Sequence, residues 1–178
     1  MTKAVNAGIG VSMKIICLCM TLMGLLVLQA CGGGAVDGST VARPQKTAIV
    51  EFAVSAADAT SIVKGVTMVV RLPPGVTVST EAGSTIINAA VLQGVNSFQI
   101  LTSNYLVADN EVRIPAINIS NTIENIVFAR LTCNVVSGQT LMESQFTSLV
   151  PVLFDPSGAG GQDLKNSVNP KISVTFGY

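Results

Sequence analysis

The sequence predicts an all-β fold over residues 47–178, a sandwich of about eight or nine short strands. Three observations carry this. Apolar residues recur with a period of two, turn residues interrupt them at short intervals, and Val, Ile, Thr, Ser and Asn dominate a chain with 11% charged residues. Side chains alternate between the two faces of a strand, so period two marks a strand with one face buried. β-Branched residues fit that half-buried, pleated surface. Many short strands separated by Gly, Pro, Asn and Asp turns read as a sandwich.

The strands follow in order. Ala48, Val50, Phe52 and Val54 alternate with Thr47, Glu51 and Ser55. Val66, Met68, Val70 and Leu72 form the second run, which Pro73-Pro74-Gly75 turns, and Val76 and Val78 make a short third strand. Thr85 to Leu92 fits a short helix or a strand. Val112, Ile114 and Ala116 alternate around Arg113, and Pro115 predicts a bulge or an edge there. Residues 126–136 give the clearest strand, with Val127, Ala129, Leu131, Cys133 and Val135 on one face and Arg130, Thr132 and Asn134 on the other. Phe146 to Phe154 predicts another strand, an edge because of Pro151. Ile172, Val174, Phe176 and Tyr178 form the last. Turns are expected at Lys64-Gly65, Pro74-Gly75, Ala82-Gly83, Asp109-Asn110, Ser137-Gly138 and Asp155-Pro156-Ser157-Gly158.

Residues 1–46 read differently. Ile15 to Leu28 is an uncharged, apolar run of 14 residues, preceded by Lys14 and closed by Gln29-Ala30-Cys31. A basic start, an apolar centre and a small residue before the cut describe a secretory signal. The run is short of the ~20 residues of a membrane span, which favours a cleaved signal helix over an uncleaved anchor or a buried core helix. Met13 is the expected start of that signal, with residues 1–12 outside it. Gly32-Gly33-Gly34 opens a flexible tether that extends to Lys46. A Gly-rich stretch of that length has an end-to-end distance of ~20 Å.

The run Leu28-Gln29-Ala30-Cys31 resembles the lipobox of bacterial lipoproteins. The resemblance implies cleavage after Leu28, Gln29 and Ala30, a diacylglyceryl group on the Cys31 sulfur and acylation of the new amino group. The partner it implies is a lipid membrane. Gly32 follows the cysteine where Asp would signal retention, which by the Gram-negative sorting rule implies the outer membrane or cell surface. Two or more acyl chains anchor a protein stably, whereas one holds it only marginally.

The mature chain expected from this signal is Cys31 to Tyr178, one domain plus a tether. Ten acidic and eight basic side chains remain, giving a net charge of −2 and no basic patch for a nucleic-acid partner. Cys17 and Cys19 fall in the signal and Cys31 is consumed by lipid. Cys133 is left alone in the domain and reads as a small buried hydrophobe.

The domain resembles a cohesin-type module, a jelly-roll sandwich related to bacterial carbohydrate-binding domains. The residues that carry the likeness are Gly65-Val66 through Leu72-Pro73-Pro74-Gly75-Val76, Asn110-Glu111-Val112-Arg113-Ile114, Ile123 to Val136 ending at Ser137-Gly138, and Phe146 to Phe154 followed by Asp155-Pro156-Ser157-Gly158. The resemblance implies a dockerin-like protein partner or a glycan. Arg71-Leu72-Pro73 stands where such modules often carry Tyr-Asp-Pro.

The chain has no histidine, which removes His-based triads, His-ligated zinc and the commonest general base. Asp109 and Glu111 form a possible carboxylate pair, or else a solvated hairpin turn. Asp155 and Asp163 bracket Pro156-Ser157-Gly158-Ala159-Gly160-Gly161-Gln162, a glycine-rich loop that is a candidate calcium site or an ordinary loop. No other cofactor is expected. There is no Trp to stack on a sugar ring, and the two tyrosines are Tyr105 and Tyr178. Asn118-Ile119-Ser120 is a sequon of no expected use in a bacterium. The function expected is a membrane-anchored, non-catalytic extracytoplasmic binding module. The alternative is a structural accessory lipoprotein of a cell-surface assembly. An enzyme is not expected.

Overall fold

The structure is a computed structural model that describes residues 44–56, 62–120 and 126–178. The signal, Leu28 to Cys31 and the tether up to residue 43 lie outside the described residues, as does Ile123. Alternating sequence becomes ten strands. They are β1 (Thr47–Ala56), β2 (Gly65–Arg71), β3 (Val76–Thr77), β4 (Leu92–Gly94), β5 (Phe98–Ile100), β6 (Asn104–Leu106), β7 (Glu111–Asn118), β8 (Ile126–Val135), β9 (Leu153–Ser157) and β10 (Val168–Gly177). One helical turn, α1 (Ser144–Thr147), precedes β9. Among the described residues no helix is long and apolar enough to cross a membrane.

The strands form two antiparallel sheets, an all-β sandwich. The first has the order β10-β1-β8-β3, with β4 also on β8; the second has the order β5-β7-β2-β9, with β6 also on β7. The chain therefore passes from sheet to sheet between β1 and β2, β2 and β3, β4 and β5, β7 and β8, β8 and β9, and β9 and β10. The tightest of these passages is the β4–β5 corner. Asn96 and Ser97 both take positive φ there, and a side chain on Gly94 would run into the carbonyl of Phe98. Thr85 to Leu92, which fits a short helix or a strand by sequence, is a loop that leads into β4.

The inner faces make one core. Val50, Phe52, Met68, Val70, Ile114 and Leu131 are completely buried, and each contributes about 1.5–3 kcal/mol of apolar burial. Phe128 lies at its centre, 6.4 Å from the Phe52 ring and 5.8 Å from that of Phe98.

Five local expectations are corrected. β8 does not keep one face throughout: its pairing with β1 slips between Phe52 and Ala53, so that Phe52 faces Ala129 while Ala53 faces Val127. Phe128 is the extra residue, and this bulge turns it into the core and leaves Val127 half-buried. Pro115 marks neither an edge nor a bulge, because β7 is central, paired with β2 on one side and with β5 and β6 on the other. The Pro115 carbonyl accepts the Leu101 N–H at 2.9 Å between β5 and β6. N–H and C=O of a strand residue point to the same side, so the missing donor faces that gap and the ladder to β2 loses nothing.

The Phe146–Phe154 stretch is not one strand. Phe146 sits in α1, fully buried, and its ring meets Phe176 edge-on at 5.8 Å. The strand begins only at Leu153; it is an edge, and it absorbs Asp155-Pro156-Ser157, which were expected in a turn. The Pro156 carbonyl accepts the Leu164 N–H, which places the proline nitrogen on the unpaired side. Likewise Lys64-Gly65 is no turn, since Gly65 opens β2 opposite Ile117 and Ser157.

Candidate functional site

Register decides which residues each sheet presents to solvent. On the first sheet the outward rows are Asn134–Thr47–Gly177, Thr132–Ile49–Thr175, Arg130–Glu51–Ser173 and Val127–Ala53–Lys171. This face is mostly polar, and Arg130 Nη2 meets Glu51 Oε1 at 2.6 Å across it. On the second sheet the outward rows are Leu153–Val69–Arg113–Asn104, Asp155–Thr67–Pro115, Ser157–Gly65–Ile117–Gln99 and Arg71–Glu111–Leu106. Here apolar side chains lie among polar ones. Leu153 is 41% exposed, Ile117 39% and Leu106 44%, with Val69 and Pro115 half-buried between them. Arg71 and Glu111 join at 2.7 Å along one margin. Arg113 beside Val69 and Asp155 beside Thr67 add charge within the face, and a mixture of exposed apolar side chains with Arg is common in protein-binding surfaces.

The candidate residues are placed as follows. Asp155 lies on β9 and its carboxylate holds the Lys165 ammonium at 3.0 Å. Asp163 accepts the Lys165 backbone N–H at 2.9 Å, and its charge reaches the same ammonium. The hydrogen bond to Asp155 comes first and the two carboxylate charges second in raising the Lys165 pKa. The structure thus brings the pair together around a lysine. Among the described residues no group of three or more acidic, Cys or His side chains converges as metal ligands do.

Asp109 and Glu111 part company: Asp109 is exposed in the turn, while Glu111 is taken by Arg71. Tyr105 points inward and donates to Asn110 Oδ1 at 2.8 Å, and burial raises its pKa. Tyr178 is exposed beyond β10. Cys133 is completely buried on β8, and burial pushes its thiol up to about 12. Asn118 of the sequon is buried, donating to the Val63 carbonyl and accepting from Ser120.

Sequence reading had no way to single out the outward face of the second sheet, because its residues come from five strands whose register is not local. It also missed a cleft of about 300 Å³ beside β4 and β5, lined by Ile86, Leu92, Ile100 and Leu101, with Glu81, Thr102 and Ser103 as its polar members. Glu81 is its one ionisable lining group. Comparison with protein-family models, with curated proteins and with solved structures finds no match to this chain.

Proposed function

We propose that this chain is a lipid-anchored, non-catalytic binding module of the outer membrane or cell surface, with a cohesin-like sandwich that takes a protein partner. The anchor rests on Leu28-Gln29-Ala30-Cys31. The partner site is the outward face of the second sheet. The single observation behind it is the contrast between the two outward faces: one is polar throughout most of its rows, the other carries Leu153, Val69, Pro115 and Ile117 around Thr67.

Protein is favoured over glycan because neither outward face presents an aromatic side chain among the described residues. Interfaces draw most of their energy from a few desolvated apolar anchors inside a polar rim. A dockerin-like domain is the partner that the cohesin resemblance implies. The module needs no cofactor for this role, since binding of this kind rests on shape and apolar contact.

The test is a photo-crosslinking amino acid at Thr67, in the middle of the apolar face, and at Thr132, in the middle of the polar one. In cells, a discrete and saturable crosslink from position 67 and none from 132 supports the reading. Equal crosslinking from both positions, or none from 67, contradicts it.

A further inference from the structure

The two ends of the sandwich differ. β1 begins at the end where β2, β8 and β10 finish: Thr47 faces Gly177 and Asn134, Val76 faces Val135, and the four residues from Leu72 to Gly75 carry the chain from β2 to β3. The turn after β6 and the segment between β8 and β9 lie at this same end, since Leu106 faces Glu111, which faces Arg71, and Leu153 faces Val69.

Six large apolar side chains stand in solvent there: Val107, Val136, Met142, Val150, Val152 and Tyr178. Val150 is 83% exposed, Met142 63% and Val152 59%. At the opposite end, among the described residues, the exposed large apolar side chains are Ile119 and Ile117, which faces Gly65 on the outward sheet face. Exposed apolar residues scattered singly need no explanation, but a set gathered at one end does.

The tether joins the domain at that end. The described chain enters at Pro44, three residues before β1, and the Gln45 side chain is fixed to the Leu141 backbone by two hydrogen bonds. Twelve residues lie between Cys31 and Pro44, so the chain can span at most about 45 Å from one to the other. A lipid on Cys31 therefore confines the domain to within a few tens of ångströms of the bilayer. The end carrying the apolar set is the end that the tether leads to the membrane.

We propose that this end of the sandwich docks on the lipid surface, with Val150, Val152 and Met142 entering the headgroup layer and Tyr178 at its margin. This rests on the reading of Cys31 as lipid-bearing. Charge does not drive the contact: Lys46 and Arg71 stand against Asp109, Glu111 and Glu143 at this end. The contact is apolar insertion, to which the anchor adds proximity. Both outward faces then stand upright from the bilayer, and the face around Thr67 stays open to a partner.

The test uses the mature, lipid-attached protein in phosphatidylcholine vesicles. An environment-sensitive maleimide dye goes on Val150→Cys or on Ile119→Cys, with Cys133 shielded by burial. The vesicles contain phosphatidylcholine spin-labelled near the headgroup, and intact mass reports whether Cys31 carries lipid. Quenching at 150 that exceeds quenching at 119 by ~2-fold or more supports docking. Equal, water-like signals at both positions on lipid-bearing protein overturn it, while leaving the anchor in place. A dye signal at 150 that follows protein concentration and ignores the spin label assigns this end to a second copy, and also overturns it. Mass without lipid on Cys31 overturns the anchored reading; quenching at 150 by added vesicles would then still uphold docking, and its absence would end it.

Discussion

Gln45 and Leu141, 96 residues apart in sequence, bind each other as two strand residues do: the Gln45 side-chain amide donates to the Leu141 carbonyl at 3.0 Å and accepts the Leu141 N–H at 2.8 Å. Gln45, two residues before β1, is thereby sewn to the segment that leads into α1. A Gln45→Ala chain loses both bonds and leaves the half-buried Leu141 N–H and C=O without their partner. The expected loss is about 1–3 kcal/mol. Denaturant unfolding measures it, and amide exchange should speed up first over residues 141–149. Unchanged exchange in that segment would contradict the assignment.

A second hub lies at the same end. Asn110 has φ of +52° and its amide donates to the Leu72 and Pro73 carbonyls, both at 3.0 Å, while its oxygen accepts the Tyr105 hydroxyl. Asn suits this left-handed position because its short polar side chain bonds locally. Tyr105→Phe removes one bond, about 1 kcal/mol, whereas Asn110→Ala removes three and should cost about 1–3 kcal/mol, plus roughly 1–2 kcal/mol for alanine in that conformation. Thermal unfolding should rank the two variants in that order.

The bulge in β8 makes neighbouring residues unequal. Phe128→Ala empties the centre of the core between Phe52 and Phe98 and should cost about 3–5 kcal/mol. Val127 is half-buried on the outer side, so Val127→Ala should cost about 1 kcal/mol or less. Strict alternation would invert that ranking, with Val127 the core residue, so equilibrium unfolding of the two variants tests the register directly.

The buried thiol predicts an alkaline limit. Cys133 ionises near 9.0 when the chain is unfolded and at about 12 when folded, through desolvation. Below pH 9 both states hold the proton and the thiol has no effect on stability. Above pH 9 the unfolded state releases it while the folded state keeps it, so stability falls progressively up to about pH 12. Tyr105, also raised, adds to the fall above pH 10. Cys133→Ala should flatten the Cys133 part of this decline. In the native chain Cys133 should resist alkylation at pH 8 and react only with denaturant present.

These residues also show what the sequence discloses and what it withholds. Alternation at Ala48 to Val54 and at Val66 to Val70 is local, and both stretches are strands as expected. The bulge at Phe128 arises from pairing with β1, nearly eighty residues earlier, so no local pattern announces it. Pro115 misleads because the rule about proline concerns the direction of one N–H, and only the arrangement of β5 and β6 shows which way it points. Phe146 and Leu149 fall in a stretch that reads as a strand, yet a spacing of three also suits a turn of helix: Phe146 is buried in α1, and Leu149 follows it, its N–H donating to the Phe146 carbonyl, and packs against the core. The outward face around Thr67 was beyond reach for a similar reason. Its apolar residues are far apart in sequence, and the register of β9 on β2 and of β2 on β7 makes them neighbours.

The proposed anchor rests on Cys31. Metabolic labelling with a radioactive fatty acid, followed by intact mass, reads both lipid attachment and processing. The expected result is label on the native chain with a mature mass that begins at Cys31, and an unlabelled, uncleaved precursor for Cys31→Ser. Label and processing that persist in Cys31→Ser would contradict it.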